Sequence, residues 1–294
     1  MRAAWSRLGL RGRLGLAIAT IVLASIAFVV LAIRREVGEG VGAVLIGGAI
    51  GLVVAFIAGR LLDEAFSRQR QFVSDASHEL RTPLTAIRGQ LEVLARSERP
   101  DAAEVRHVEG VAMVELTRIE RLVDDMLALA RLDEGEPLRT MELRLPEYLR
   151  RFGEDPALGG VALGELPAGI LRGDPERLTQ VIRNLLTNAR RHAGPEGRVE
   201  LSAVADRGQL IVRVDDDGPG VPAAERERVF DRFHRSAAAR DRGSGGSGLG
   251  LPIARSIVER HGGRIWIEDS ALGGARVAFE LGGFEPGDAQ LGTA

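Results

Sequence analysis

The sequence predicts a multi-domain chain: two transmembrane helices, an antiparallel helical hairpin that forms a dimeric four-helix bundle, and a C-terminal α/β sandwich. Three observations predict it. Two uncharged apolar runs stand close together near the N-terminus. Apolar residues then recur at three-and-four spacing through two long segments. From about residue 140, alternating β-branched runs interleave with amphipathic helices. A chain of 294 residues has room for about two domains.

Residues 14–33 and 41–59 carry no charge. At a rise of about 1.5 Å per residue either run covers roughly 30 Å, the thickness of a bilayer core. The first run is too long for a signal-peptide core, ends without a clear small-x-small site and is followed at once by a second span. Arg2, Arg7, Arg11 and Arg13 lie in the tail 1–13, and Arg60, Arg68 and Arg70 follow the second span. In the loop 34–40, Arg34 and Arg35 are offset by Glu36 and Glu39. The positive-inside rule therefore puts both termini in the cytoplasm of a multi-pass protein of the cell inner (cytoplasmic) membrane, in contact with membrane lipid. So short a loop holds no sensor domain. Ala43, Gly47, Gly51, Ala55 and Gly59 form a small-residue stripe in the second span. It suits packing against the first span, a dimer seam or a membrane partner protein alike.

Composition narrows the chemistry. Net charge is −2, which supplies no field for nucleic acid, and no cysteine is present. All 39 basic residues are arginine. Without lysine there is no Walker-A loop, no Ser/Thr/Tyr-kinase strand lysine and no Schiff base. A nucleotide phosphate could be held here only by backbone amides, arginine and metal.

Residues 60–134 read as two helices. Phe72, Ala76, Leu80, Leu84, Ile87, Leu91 and Leu94 form one stripe; after Pro100 and Asp101, Val105, Val108, Ala112, Leu116, Ile119, Val123, Met126 and Ala130 form another. Such a hairpin buries too little alone, and pairing with a second copy as a homodimer is expected. His78, one of five histidines, points away from the stripe at about 100° per residue. Glu79 stands beside it and Thr82 one turn on, and Pro83 is expected to kink or loosen the helix. A neutral imidazole can attack phosphorus, and Glu79 can hold one ring N–H and take up the proton.

The segment 140–284 carries strand-like runs at 198–204, 209–214, 264–268 and 275–280, and helix-like runs at 175–192 and 249–261, the latter closed by Gly262 and Gly263. Residues 285–294 read as a flexible tail. Four motifs sit in order on this sandwich. Asn184 and Asn188 share a helix face as hard amide ligands suited to Mg²⁺, with Arg191 near to supply phosphate charge. Asp216 follows a strand and can accept a hydrogen bond from an adenine amino group, while Gly218 and Gly220 let the base approach the backbone. Phe230 and Phe233 are spaced three apart. Gly246, Gly248 and Gly250 open straight into a helix with Pro252 in its first turn, a phosphate cradle that needs no lysine. Residues 236–242 suit a mobile lid.

In these motifs the chain resembles the membrane-bound sensor histidine kinases of two-component signalling, from about residue 70 to 282. Residues 77–84, Ser-His-Glu-Leu-Arg-Thr-Pro-Leu, resemble the family's phosphoacceptor box. Asn184 and Asn188 resemble its N box, with Asn188 the magnesium ligand, and Asp216, Gly218 and Gly220 its adenine-reading box. Phe230 and Phe233 resemble the F box, and Gly246, Gly248 and Gly250 the second glycine box. The resemblance implies an ATP-binding sandwich shared with certain chaperones and DNA gyrases, ATP and Mg²⁺ as cofactors, phosphorylation of His78, and transfer to an aspartate of a response regulator. It also implies dephosphorylation of that regulator through Thr82. The short 60–71 segment and the missing sensor domain resemble the intramembrane-sensing subgroup. A non-catalytic membrane adaptor and a chaperone-like ATPase are the competing classes, separated by ATP binding and by a phosphohistidine respectively.

Overall fold

The computed structural model describes residues 40–97, 100–206, 208–234 and 247–287, with the side chains of 40–50, 64–65 and 68–69 excepted. The first predicted span, the tail before it, most of the loop that follows, the 236–242 lid and Gly246 all lie outside the described residues. The chain divides into two compact units, residues 1–82 with 133–135 and residues 83–132 with 136–294.

Helix α1 (Gly40–Arg96) is continuous through Pro83, which was expected to kink or loosen it. Pro83 contributes no N–H to the carbonyl one turn back, yet helical backbone persists on both sides of it, and its ring is buried. The backbone of 41–59 is helical almost from the first residue of α1. Among the described residues no helix is long and apolar enough to cross a membrane.

Helix α2 (Ala102–Asp133) starts on a capping box. Oδ1 of Asp101 accepts from the N–H groups of Ala103 (2.7 Å) and Glu104 (2.8 Å), and the Glu104 carboxylate accepts from the N–H of Asp101 (3.2 Å). Pro100 and Asp101 are thus a helix start as well as a break in the pattern. The face of α2 buried within the chain shares only Val108 with the expected stripe. It carries Val108, Leu122, Leu129 and Leu132, whereas Leu116, Val123 and Ala130 are exposed. Two apolar lines run side by side along the helix, and three-and-four spacing does not say which of them a single chain covers.

The C-terminal part is an α/β sandwich. Its five-stranded sheet has the order β2 (Ala162–Leu163), β4 (Val199–Asp206), β5 (Gln209–Asp216), β7 (Ala275–Gly282), β6 (Arg264–Asp269), antiparallel except for the β2–β4 pair. A second sheet joins β1 (Met141–Arg144), β3 (Gly169–Gly173) and β8 (Phe284–Pro286). Helix α3 (Leu145–Gly153) follows β1. The four anticipated strands are thus joined by four short ones, and the expected tail begins inside β8.

Helices α4 (Pro175–Ala193) and α5 (Gly250–Arg260) pack against each other and onto the large sheet. Every second residue of the sheet faces them. Val199, Leu201 and Ala203 of β4 are buried, as are Leu210, Val212 and Val214 of β5 and Val277, Phe279 and Leu281 of β7. Helix α4 answers with Leu178, Val181, Ile182, Leu185, Leu186 and Ala189, one helical stripe. Helix α5 closes with Gly262 in the left-handed region (φ 79°) and the N–H of Gly263 donating to the Val258 carbonyl at 3.0 Å, the expected glycine cap.

Candidate functional site

The four motifs of the sandwich meet around α4 and the start of α5. Burying the 178–189 stripe turns Asn184, Asn188 and Arg191 onto one common side, at i, i+4 and i+7. Nδ2 of Asn184 donates to the carbonyl of Gly250 at 3.0 Å, tying the middle of α4 to the first residue of α5. The Asn184 carboxamide therefore holds the two helices together with its amino group and keeps its oxygen for other use. The Asn188 side chain makes no hydrogen bond among the described residues and is half-buried.

Asp216 ends β5, 4 % exposed. Its Oδ1 accepts from the N–H groups of Gly218 (2.9 Å) and Ala275 (3.1 Å). Burial pushes its carboxyl above the ordinary range, although both amides and nearby His192 oppose this. Oδ2 has no hydrogen bond among the described residues, so one acceptor is fixed and the other remains for a donor such as an adenine amino group. Glycine is obligatory around this carboxylate. A Cβ on Gly218 would stand 2.9 Å from Oδ1 and 3.0 Å from the His192 carbonyl oxygen, and one on Gly274 would strike both Asp216 and the N–H of Gly218. Gly274 was missed by the sequence reading, and its signal was the Gly273-Gly274 pair just before β7.

The aromatic and glycine motifs also join. Phe230 is buried under the Arg255 guanidinium, 5.6 Å from its ring centre. Phe233 has a left-handed backbone (φ 59°), and its N–H donates to the Gly248 carbonyl at 3.1 Å. Gly248 is itself left-handed (φ 67°), and a Cβ there would lie 2.9 Å from the Phe233 Cα. Gly220 is left-handed as well (φ 72°). The residues around α4 fit a nucleotide: a held carboxylate for the base, close backbone approach where side chains would intrude, and a glycine segment running into a helix N-terminus for phosphate. For a divalent cation the fit is narrower. No cluster of three or more His, Cys, Asp or Glu suited to a metal occurs among the described residues. The ion would rest on the Asn188 amide oxygen and on the nucleotide's own phosphates.

Two buried acids of the sandwich escaped the sequence reading. Asp215, 2 % exposed, accepts from Ser270 Oγ (2.7 Å) and from Arg276 Nε at 2.9 and 3.1 Å. Asp174 caps α4, its Oδ1 accepting from Glu176 and Arg177 N–H at 3.1 Å and its Oδ2 from Arg139 N–H at 2.9 Å. In an Asp-Asp-Asp run and an Asp-Pro pair, spacing does not reveal which acids are buried or paired.

The phosphoacceptor-like residues stand on α1, in the other unit. His78 is exposed, Glu79 half-buried and Thr82 exposed. The Thr82 hydroxyl donates to the His78 carbonyl at 3.3 Å, a long bond that an incoming group can replace. The imidazole thus faces solvent.

Known proteins share both parts. The family described as "His Kinase A (phospho-acceptor) domain" matches residues 68–135, and "Histidine kinase-, DNA gyrase B-, and HSP90-like ATPase" matches residues 173–282. The chain is 40% identical over 247 residues to the probable sensor histidine kinase TcrY of Mycobacterium tuberculosis, covering 80% of this chain and 50% of that protein. Full-length ShkA, solved with AMPPNP, is 28% identical with a TM-score of 0.52, covering 75% of this chain and 47% of that one. The histidine kinase ThkA, solved with the response regulator protein TrrA, shares the fold at 23% identity and a TM-score of 0.59, covering 78% of this chain and 66% of that one. The chain spans about half the length of the curated relatives it matches. With a phosphoacceptor domain, an ATPase domain that binds ATP, and relatives that are sensor histidine kinases, the chain belongs to the sensor histidine kinases of two-component systems.

Proposed function

We propose that the chain is an ATP-dependent protein-histidine kinase. The observation that carries the reading is the convergence on α4 and the head of α5 of four motifs scattered over residues 184–250, with Asp216 holding one carboxylate oxygen ready for a base. Asp216, Gly218 and Gly220 bind adenine, while Gly246, Gly248 and Gly250 offer amides to the phosphates. Asn184, Arg191 and Phe233 complete the cradle. Asn188 would hold Mg²⁺ together with ATP, and the ion would supply charge neutralisation at the phosphates.

The neutral ring nitrogen of exposed His78 attacks the γ-phosphorus. An N–P bond forms, the P–O bond to ADP breaks, and the ring proton leaves to Glu79. An aspartate of a response regulator then takes the phosphoryl group, breaking the N–P bond. Thr82, one turn on, orients a water against the phosphorylated regulator and returns phosphate. Exposed apolar side chains on α1 and α2, among them Leu84, Leu91, Met113, Leu116, Val123 and Leu127, support a homodimer built as a four-helix bundle. The domain limits follow the sequence reading, with the phosphoacceptor helices at 60–134 and the catalytic domain at 140–284.

The same reading sets residues 14–33 and 41–59 across the inner membrane with both termini cytoplasmic. Support comes from the helical backbone through 41–59 and from Leu52, Val53, Phe56 and Ile57, which are all exposed, as lipid-facing side chains are. The stimulus then enters through lipid or a membrane partner protein. Labelled ATP tests the reaction. Wild type gains acid-labile, base-stable label and His78→Gln gains none; labelling retained in His78→Gln refutes the assignment.

A further inference from the structure

Residues 247–250, which end the glycine segment, are fastened to the second helix of the hairpin by one side-chain bond among the described residues. The Ser247 hydroxyl donates to Asp125 Oδ2 on α2 at 2.8 Å and accepts from the N–H of Leu249 at 3.2 Å, which sets the entry into α5. The far end of α5 is fastened differently. Arg260 donates to the Leu132 carbonyl at 2.6 Å and to the Glu136 carbonyl. The Glu136 carboxylate takes Arg177 at 2.7 Å, and Arg139 N–H takes Asp174. Asp125 and Leu132 are two turns apart, about 10 Å along α2, so α5 is held at both ends along that helix. Its far end is tied to α2 and the 136–139 segment redundantly, whereas its phosphate-side end, joined to α4 through Asn184, is tied to α2 by the Ser247–Asp125 bond.

That bond carries the wrong charge for a phosphate site. The N–H groups of the glycine segment and the α5 N-terminus attract anions, whereas the Asp125 carboxylate, with Asp124 beside it, repels them. Burial already disfavours charge on Asp125 and raises its carboxyl, with the Ser247 bond opposing and Asp124 adding to the rise. A polyphosphate arriving at the segment adds like charge within a few residues of it.

We propose that Asp125 is a positioning residue that parks residues 247–250 on α2 through Ser247, and that nucleoside polyphosphate and this parked state exclude each other. The inference rests on the nucleotide reading of the site. Because coupling is reciprocal, any event that loosens α2 from the segment raises nucleotide affinity, and bound nucleotide frees the head of α5 from α2.

Two measurements on the full chain test it. Without nucleotide, amide exchange at Leu249 and Gly250 is faster in Asp125→Ala and in Ser247→Ala than in wild type; equal exchange overturns the parked state. In titrations, Asp125→Asn, which keeps size and an acceptor, binds Mg-AMPPNP about 10-fold tighter than wild type, and its adenosine affinity does not change. Equal or weaker AMPPNP binding in Asp125→Asn, or adenosine tightening by the same factor, overturns the exclusion while the nucleotide reading stands. A wild-type chain that binds no AMPPNP overturns that reading and the exclusion together, and the exchange result still decides the parked state.

Discussion

The backbone N–H of Asp174 donates to Nε2 of His261 at 3.1 Å, joining the residue that caps the start of α4 to the one that closes α5. Nε2 is therefore an acceptor, and Nδ1, 2.8 Å from the Ile257 carbonyl, must be the donor. The ring is neutral in one tautomer. The two helices that frame the nucleotide site are pinned at their outer ends by this bond and midway by Asn184 to Gly250.

A neutral, half-buried His261 makes stability depend on pH. Burial pushes its folded value below the ordinary one, against the opposing pull of Ile257 and Asp174. As pH falls below about 6.5 the unfolded ring takes a proton first. Stability is thus complete above that point and declines as pH drops through the folded value. Urea midpoints measured between pH 7.5 and 5 should fall in wild type and vary less in His261→Gln, with a loss of about 1 kcal/mol at pH 7.5.

Asp174 titrates in a lower window. Burial alone would raise its carboxyl, but N–H donation from Arg139, Arg177 and Glu176, with His261 nearby, holds it below the usual range. Its contribution is present above about pH 4 and is lost as pH falls through the folded value. Asp174→Ala should cost about 2 kcal/mol at neutral pH by denaturant melt, since one carboxylate serves three donors. Asp174→Asn should cost less and flatten the acid limb below about pH 4.

Gly274→Ala drives a methyl group into the Asp216 carboxylate and the Gly218 amide. Calorimetric titration with AMPPNP should show affinity lower by about 10-fold or more, equivalent to about 1.4 kcal/mol. A circular dichroism spectrum like wild type would separate this from unfolding.

Asp215 and Arg276 link β5 and β7 in a nearly dry setting. Asp215→Ala takes from Arg276 the nearer of its two carboxylates, leaving Glu268 at 3.5 Å, removes the acceptor of the Ser270 hydroxyl, and should destabilise the sandwich by about 2 kcal/mol. Thermal melts should place Arg276→Met below Asp215→Ala, because Arg276 keeps Glu268 whereas buried Asp215 keeps only the Ser270 hydroxyl. Arg276→Ala, which leaves Asp215 unpaired, should melt well below wild type.

Thr82→Ala removes the hydroxyl one turn from His78 without touching the imidazole. Phosphohistidine formation should be unchanged while dephosphorylation of the regulator slows by about 100-fold. Unchanged rates of both reactions would remove Thr82 from the mechanism.

The helices and the main strands were legible because their signals are local. Alternation marked β4 to β7, a three-and-four stripe marked α4, and two glycines marked the end of α5. The short strands β1, β2, β3 and β8 were not legible. Their residues pair across the chain, as Ile170 does with both Arg144 and Glu285, and two to five residues leave no period to detect. Which of the two apolar lines of α2 a single chain covers was not legible either, since burial depends on what packs against the helix.

The sequence by itself determined which chemistry is possible here: arginine as the only basic residue, a histidine on a helix beside an acid, amides spaced four apart, and glycines where backbone must come close. Only the tertiary structure decided which acid does what. Asp125, Asp174, Asp215 and Asp216 are alike in the sequence, yet one holds Ser247, one caps α4, one pairs with Arg276 and one keeps an oxygen open. Their donors lie from 2 to 122 residues away. A carboxylate's role is set by the N–H, O–H and guanidinium groups that folding brings within about 3 Å of it.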